Sequence, residues 1–271
     1  MIQPTEVEEF VRVLLRDQPA FPHYFARMRP LNQAGPRLFG GHIPEARPVT
    51  VDEARQLLAG EALLVDTRQP EAHAEAHVTG SVSIPAGSSF GTWLGWVVDP
   101  ERPLILLLDD PADRDDLVRQ ALRIGYERVV GYLAGGIEAW RRAGLATEAT
   151  GRITVEELAG QLAVGGPSAP LVIDVRQAGE FAAGHVPGSV HIGGGDLPSR
   201  LSDLPRDRPI ATICASGYRS SVAASLLRRA GFEGVSWVSD GVPAWQTCGL
   251  PVDRGGASQA VPQEAAAPHS H

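Results

Sequence analysis

Cysteine is scarce in this 271-residue chain: Cys214 and Cys248 are the only two. A disulfide framework is therefore excluded as the organising device, and a reducing, cytoplasmic home is expected. Long apolar runs are also missing; the longest are strand-sized, short of the ~20 residues that a spanning helix needs. The start, Met1-Ile2-Gln3-Pro4-Thr5-Glu6, has neither the basic opening nor the apolar core of a secretory signal. Positive charge is in deficit, with 24 Lys and Arg against 32 Asp and Glu and a formal net charge of −8. With no basic stripe interleaved with aromatics either, nucleic acid and membrane surfaces drop out as partners.

What is present fits globular domains. Hydrophobic residues make up 43% of the chain, enough for ordinary cores, and the length allows two domains. Residues 1–45 read as an extension. Val7, Phe10, Val11, Leu14 and Leu15 mark an amphipathic helix, after which Pro19, Pro22, Pro30, Pro36 and Pro44 keep the chain irregular. The Phe21–Asn32 stretch is aromatic for a linker, so it is expected to pack on something. At the other end, 254–271 is rich in Gly, Ala, Gln, Pro and Ser and reads as a disordered tail.

Between them the chain states a pattern twice. Leu64-Val65-Asp66-Thr67-Arg68 is answered by Val172-Ile173-Asp174-Val175-Arg176, and His77-Val78-Thr79-Gly80-Ser81 by His185-Val186-Pro187-Gly188-Ser189 at the same spacing. Pro103, Gly125 and Trp140 are answered by Pro209, Gly231 and Trp245. The copies occupy 46–148 and 149–253. Each alternates short apolar strands with helical stretches, which predicts an α/β fold with a mostly parallel sheet and helices on both faces. In the second copy Thr154 opens a helix, and Leu171–Asp174, Pro209–Ile213 and Val235–Val238 are strands.

The most informative stretch is Thr212-Ile213-Cys214-Ala215-Ser216-Gly217-Tyr218-Arg219-Ser220. A buried strand runs into a polar turn that opens a helix from Ser220 to Ala230, with Val222, Ala223, Leu226 and Leu227 at helical spacing. Cys214 therefore sits where backbone N–H groups and a helix start favour a thiolate, and Arg219 adds a full charge. The backbone of Ala215, Ser216, Gly217, Tyr218 and Ser220 forms the cradle. The Ser216 and Ser220 hydroxyls are expected to supply further hydrogen-bond donors, and Tyr218 to shape the pocket beside the sulfur.

That spacing, Cys-x-x-Gly-x-Arg followed by Ser, resembles the active loop of the rhodaneses, the thiosulfate and persulfide sulfurtransferases. Cysteine-type phosphatases close a longer loop around phosphate. Asp174-Val175-Arg176 with Glu180-Phe181 and Gly184–Ser189 is similar to the family's N-terminal signature, and Asp240-Gly241 with Trp245 and Gly249-Leu250-Pro251-Val252 to its C-terminal one. The resemblance implies tandem rhodanese-like domains, with Cys214 and Arg219 catalytic, Asp174 and Arg176 bracing the loop, and no cofactor or metal. It implies transfer of a sulfane sulfur from thiosulfate or an organic persulfide to a thiol, sulfite or cyanide through a Cys214 persulfide. The rivals are a small phosphatase or arsenate reductase of the same fold and a non-catalytic partner-binding module.

The first copy lacks the chemistry. Leu108 stands opposite Cys214 and Asp113 opposite Arg219, while Pro111 and the acids Asp109, Asp110, Asp113, Asp115 and Asp116 fill the turn. Negative charge at a helix start repels an anion. Trp93 and Trp96, flanked by glycines, read as core or as an interface patch. The order of extension, inert copy and active copy resembles the C-terminal half of fusion proteins in which a metallo-β-lactamase-like persulfide dioxygenase comes first. The extension then resembles the tail of that domain, although no His-x-His-x-Asp-His motif occurs in the chain. A separate persulfide dioxygenase is one expected partner, and a second copy of the chain another. His73 and His77 are four apart but occupy ordinary repeat positions, so no metal is assigned to them. Cys248 reads as a small buried residue at a helix end.

Overall fold

The computed structural model describes residues 7–15, 22, 24–35 and 43–256. Both copies form the expected α/β unit. In the first, five parallel strands lie in the order Arg47–Val49, Val129–Leu133, Leu104–Leu107, Leu63–Asp66, Val82–Ser83. In the second the order is Gly151–Ile153, Val235–Val238, Ile210–Ile213, Leu171–Asp174, Val190–His191, strand for strand the same topology.

Strand parity distributes side chains between two faces. Leu63, Val65, Leu104 and Leu106 enter a central core, while Leu64, Ile105 and Leu107 enter a separate core with Ala54 and Trp140. The second copy does likewise: Leu171, Ile173 and Ile210 face the centre, and Val172, Ala211 and Ile213 the far side. Cys214 follows Ile213, so its side chain returns to the central face, where it is fully buried.

The central core is continuous through both copies. Helix Tyr218–Arg229 runs through it, burying every residue from Ser220 to Leu227 between its own sheet and the Val82–Ser83 strand of the first copy. Small residues Ser221, Ala223, Ala224 and Ser225 permit that close approach. Ser225 accepts a hydrogen bond from the Ser83 N–H at 3.0 Å, and Arg229 donates to the Gly80 carbonyl at 2.7 Å.

Three sequence expectations change. The helix begins at Tyr218 rather than Ser220, because Gly217, with φ 89°, turns the chain sharply enough for the next residue to be helical. Pro30 lies inside a helix, Phe25–Ala34, instead of breaking it. Packing offsets the lost backbone bond: Tyr24 lies on Gly95, Leu31 on Gly125, and Arg27 pairs with Glu101 at 2.8 Å, so Tyr24, Arg27 and Leu31 have a partner surface while Phe25 is exposed, and Phe21 and His23 lie outside the described residues. Helix Val7–Leu15 forms as expected, with Val7, Phe10, Val11 and Leu14 exposed. Finally, Gly255 N–H bonds the Ala182 carbonyl at 2.9 Å, so the folded chain runs past 253. The remainder of the expected tail, 257–271, and Pro19 and Pro36 lie outside the described residues. No helix among the described residues is long and apolar enough to cross a membrane.

Candidate active site

Cys214 ends the central strand of its sheet and immediately precedes the turn into helix Tyr218–Arg229, which starts without a side-chain cap. The first N–H groups of a helix have no partner within it, so those of Tyr218, Arg219 and Ser220 form a positive end beside the sulfur. The loop is fixed from three sides. Val242 N–H bonds the Cys214 carbonyl at 2.8 Å, and the Thr212 hydroxyl bonds the Ser220 carbonyl at 2.8 Å. A Cβ on Gly241, whose φ is 73°, would strike the Ala215 carbonyl, so the start of helix Gly241–Thr247 rests directly against the loop. Ser220 Oγ lies 3.5 Å from Sγ and bonds the Gly217 and Val238 carbonyls at 2.9 and 3.0 Å. Ser216 is exposed at the turn.

Arg219 is not a free charge. Its Nη1 and Nη2 donate to the Glu180 carboxylate at 2.6 and 2.7 Å, a fork-to-fork pair. That guanidinium holds Glu180 below the usual carboxylate range and is itself raised, with Cys214 and Asp174 pushing the same way. Sequence reasoning saw Glu180 only as part of a signature. The local sequence carries no sign that it meets Arg219, although the repeat offers one, because Ala72 stands opposite it.

Asp174 and Arg176 form a second ion pair, fully buried, at 2.6 Å. Arg176 reaches the Gly184 carbonyl at 2.7 Å, so the pair ties the strand end to the turn after helix Ala178–Ala183. The loop is touched only indirectly, through Val175 N–H on the Ile213 carbonyl. Asp66 and Arg68 repeat this in the first copy, with Arg68 on the Ala76 carbonyl at 2.7 Å. It is scaffold common to both copies.

The first copy reaches the site. The Tyr218 hydroxyl donates to the Pro85 carbonyl at 3.3 Å, and burial pushes its phenol up. The Trp93 ring lies 6.2 Å from it, and Trp93 and Trp96 pack on Gly194 and Gly195 of the second copy. The tryptophan segment is thus an interface within the chain. At the place of the Cys214–Arg219 loop the first copy has Leu108 in the core and a tight Pro111–Asp113 turn whose Ala112 N–H is taken by Asp110 at 2.8 Å.

His73 and His77 stack at 4.1 Å with His77 Nδ1 on the His73 carbonyl, and burial pushes both rings below the usual imidazole range. Cys248, expected to be buried, is exposed at the end of helix Gly241–Thr247 and donates to Glu156 at 3.2 Å. The short helix projects its last turn outward; the carboxylate raises the thiol, which makes it a weak nucleophile.

Several known proteins resemble parts of the chain. A sulfurtransferase of Allochromatium vinosum is 34% identical over 82 residues, 30% of this chain and 77% of that protein. An HTH-type transcriptional regulator of Mycobacterium tuberculosis is 40% identical over 86 residues, 31% of this chain but only 38% of that protein's length. Among solved structures, a thiosulfate sulfurtransferase from Pseudomonas aeruginosa aligns at 22% identity and a TM-score of 0.37, covering 78% of this chain and 44% of that one. The family model described as the rhodanese-like domain matches residues 50–143 and again 154–248, so the chain belongs to that family and carries it twice.

Proposed function

We propose that the chain is a sulfurtransferase with one active copy, 149–253, working through a persulfide on Cys214. The carrying observation is the placement of a cysteine at the end of the central strand and at the uncapped start of a long helix. Cys214 thiolate attacks the outer sulfur of the donor. Thiosulfate then releases sulfite, and a hydropersulfide releases its thiolate; an acceptor thiol, sulfite or cyanide removes the sulfur in the second step. The N–H groups at Ala215 to Ser220 stabilise the anionic sulfur in both states, with Arg219 and Ser220 beside it. Ser220 turns its hydroxyl from a carbonyl to the thiolate as the thiol proton leaves. Because Cys214 is enclosed, the donor reaches it over the Ala215–Ser216 turn. The steps require neither metal nor cofactor.

Copy 46–148 supplies no nucleophile and serves as a platform. A persulfide-oxidising dioxygenase is the partner that the order of segments suggests, and a reducing compartment suits two free thiols.

Treating the protein with thiosulfate or glutathione hydropersulfide and weighing it intact tests the reading. The expected result is a gain of one sulfur atom, lost in Cys214→Ser and retained in Cys248→Ser. No gain from either donor would leave the chain a binding module.

A further inference from the structure

The two copies are a controlled comparison of what the scaffold needs and what the chemistry needs. Both keep the buried Asp-x-Arg pair, Asp66 with Arg68 and Asp174 with Arg176, and both keep a histidine bonded to the carbonyl four residues earlier. The inert copy has lost three features together: Leu108 for Cys214, Asp113 for Arg219 and Ala72 for Glu180. Its helix Pro70–Glu75 forms without a glutamate at that position, so Glu180 is not required by the fold. The glutamate goes with the thiol and the arginine.

Its placement says what it does there. Arg219 is the only cation between Cys214 and Ser220, and Glu180 engages both of its terminal nitrogens. Glu180 is itself held, its Oε2 accepting from the Gln177 N–H at 3.0 Å, so it is a fixed counter-charge. The neighbouring arginine, Arg176, is closed in its own pair with Asp174. The loop therefore offers an anion its backbone N–H groups and helix start, with both adjoining guanidinium charges already neutralised.

We propose that Glu180 is a positioning residue that sets the charge class of the sulfur donor, disfavouring the thiosulfate dianion and favouring organic hydropersulfides with at most one negative charge. This rests on sulfur transfer at Cys214. The two loading reactions differ in the charge brought to the loop. With thiosulfate, Cys214 thiolate forms the new S–S bond and sulfite dianion leaves, so three negative charges gather in the transition state. With a protonated S–SH group, the S–S bond to the organic thiol breaks, its thiolate leaves with the electron pair and the proton stays on the transferred sulfur; one negative charge is involved at the reacting sulfurs. An arginine already matched by a carboxylate discounts the first far more than the second.

Single-turnover loading of Glu180→Gln and Glu180→Ala, followed by intact mass with thiosulfate and with glutathione hydropersulfide in parallel, tests the assignment. The alanine variant reproduces Ala72 of the first copy, so the fold has a precedent for it. Uncovering Arg219 is expected to raise the thiosulfate-to-hydropersulfide ratio of second-order rate constants about tenfold, with the gain shrinking as salt is added. A generally disturbed loop would slow both donors and leave the ratio in place, and that unchanged ratio overturns the proposal. If wild-type protein takes sulfur from neither donor, the sulfur-transfer reading itself fails, an outcome distinct from the first.

Discussion

A single position shows how burial converts sequence into pH behaviour. His73 is almost fully enclosed, stacks on His77, and has only Ser81 Oγ near its Nε2, at 3.5 Å. Burial, reinforced by the charges of His77 and Arg68, holds it well below the ordinary imidazole value of 6.5. The folded chain thus keeps the ring neutral, while the unfolded chain takes up a proton as the pH falls below that value. Stability is full above about pH 6.5 and is lost as the pH drops through the region beneath it, by at most about 1.4 kcal/mol per pH unit for one proton. The repeat supplies the substitution that removes the effect, because Phe181 stands in the same place and stacks on His185 at 3.7 Å. His73→Phe should flatten the acid side of a midpoint-against-pH curve, leaving the smaller slope due to His77. A curve that keeps its full slope would place the proton uptake elsewhere.

At the scale of elements, the decisive piece is helix Tyr218–Arg229, and what it does is local at one end and long-range everywhere else. Ser225 accepts the Ser83 N–H from the other copy while donating to the Val222 carbonyl at 2.7 Å. Ser225→Ala leaves a buried N–H without an acceptor, which should cost about 1–3 kcal/mol in denaturant melts. A loss below about 0.5 kcal/mol would mean that water or a shifted backbone replaces the hydroxyl. This helix also shows which features the sequence makes legible. The strand and helix at Cys214, the duplication and the absence of cysteine and arginine from the corresponding loop of the first copy are written in short-range pattern, as apolar alternation, glycines and a cysteine at a strand end. Nothing local announces that Arg219 meets Glu180, that Tyr218 reaches Pro85 or that Trp93 covers Gly194, because each joins residues far apart in the chain. Even the helix start lies two residues earlier than periodicity indicates, because the positive φ of Gly217 leaves no mark in it; Ser239 and Trp237 leave no room there for a Cβ.

For the molecule as a whole, the first copy is explained by the core rather than by its loop. The central core includes Leu63, Leu106 and Leu108 of the first copy and Ile173, Leu227 and Trp237 of the second without interruption. Polar bonds cross at its margin: Arg228 to Glu148 at 2.8 Å, Arg229 to the Gly80 carbonyl, and the Thr150 N–H to the Ala74 carbonyl at 2.9 Å. Separating the copies would expose the apolar side of helix Tyr218–Arg229 and strip Tyr218 of its anchor, at a cost that grows with every side chain uncovered. The copies should therefore unfold together despite being separate in sequence and similar in topology. Calorimetry of the full chain is expected to give one transition whose calorimetric and van't Hoff enthalpies agree. A leucine-to-alanine change at Leu63, in the first copy's part of the central core, should lower that single midpoint by an amount matching ~2–5 kcal/mol. Two resolved transitions, with only the first shifted by Leu63→Ala, would show that the central core divides and that the first copy is dispensable to the fold of the second.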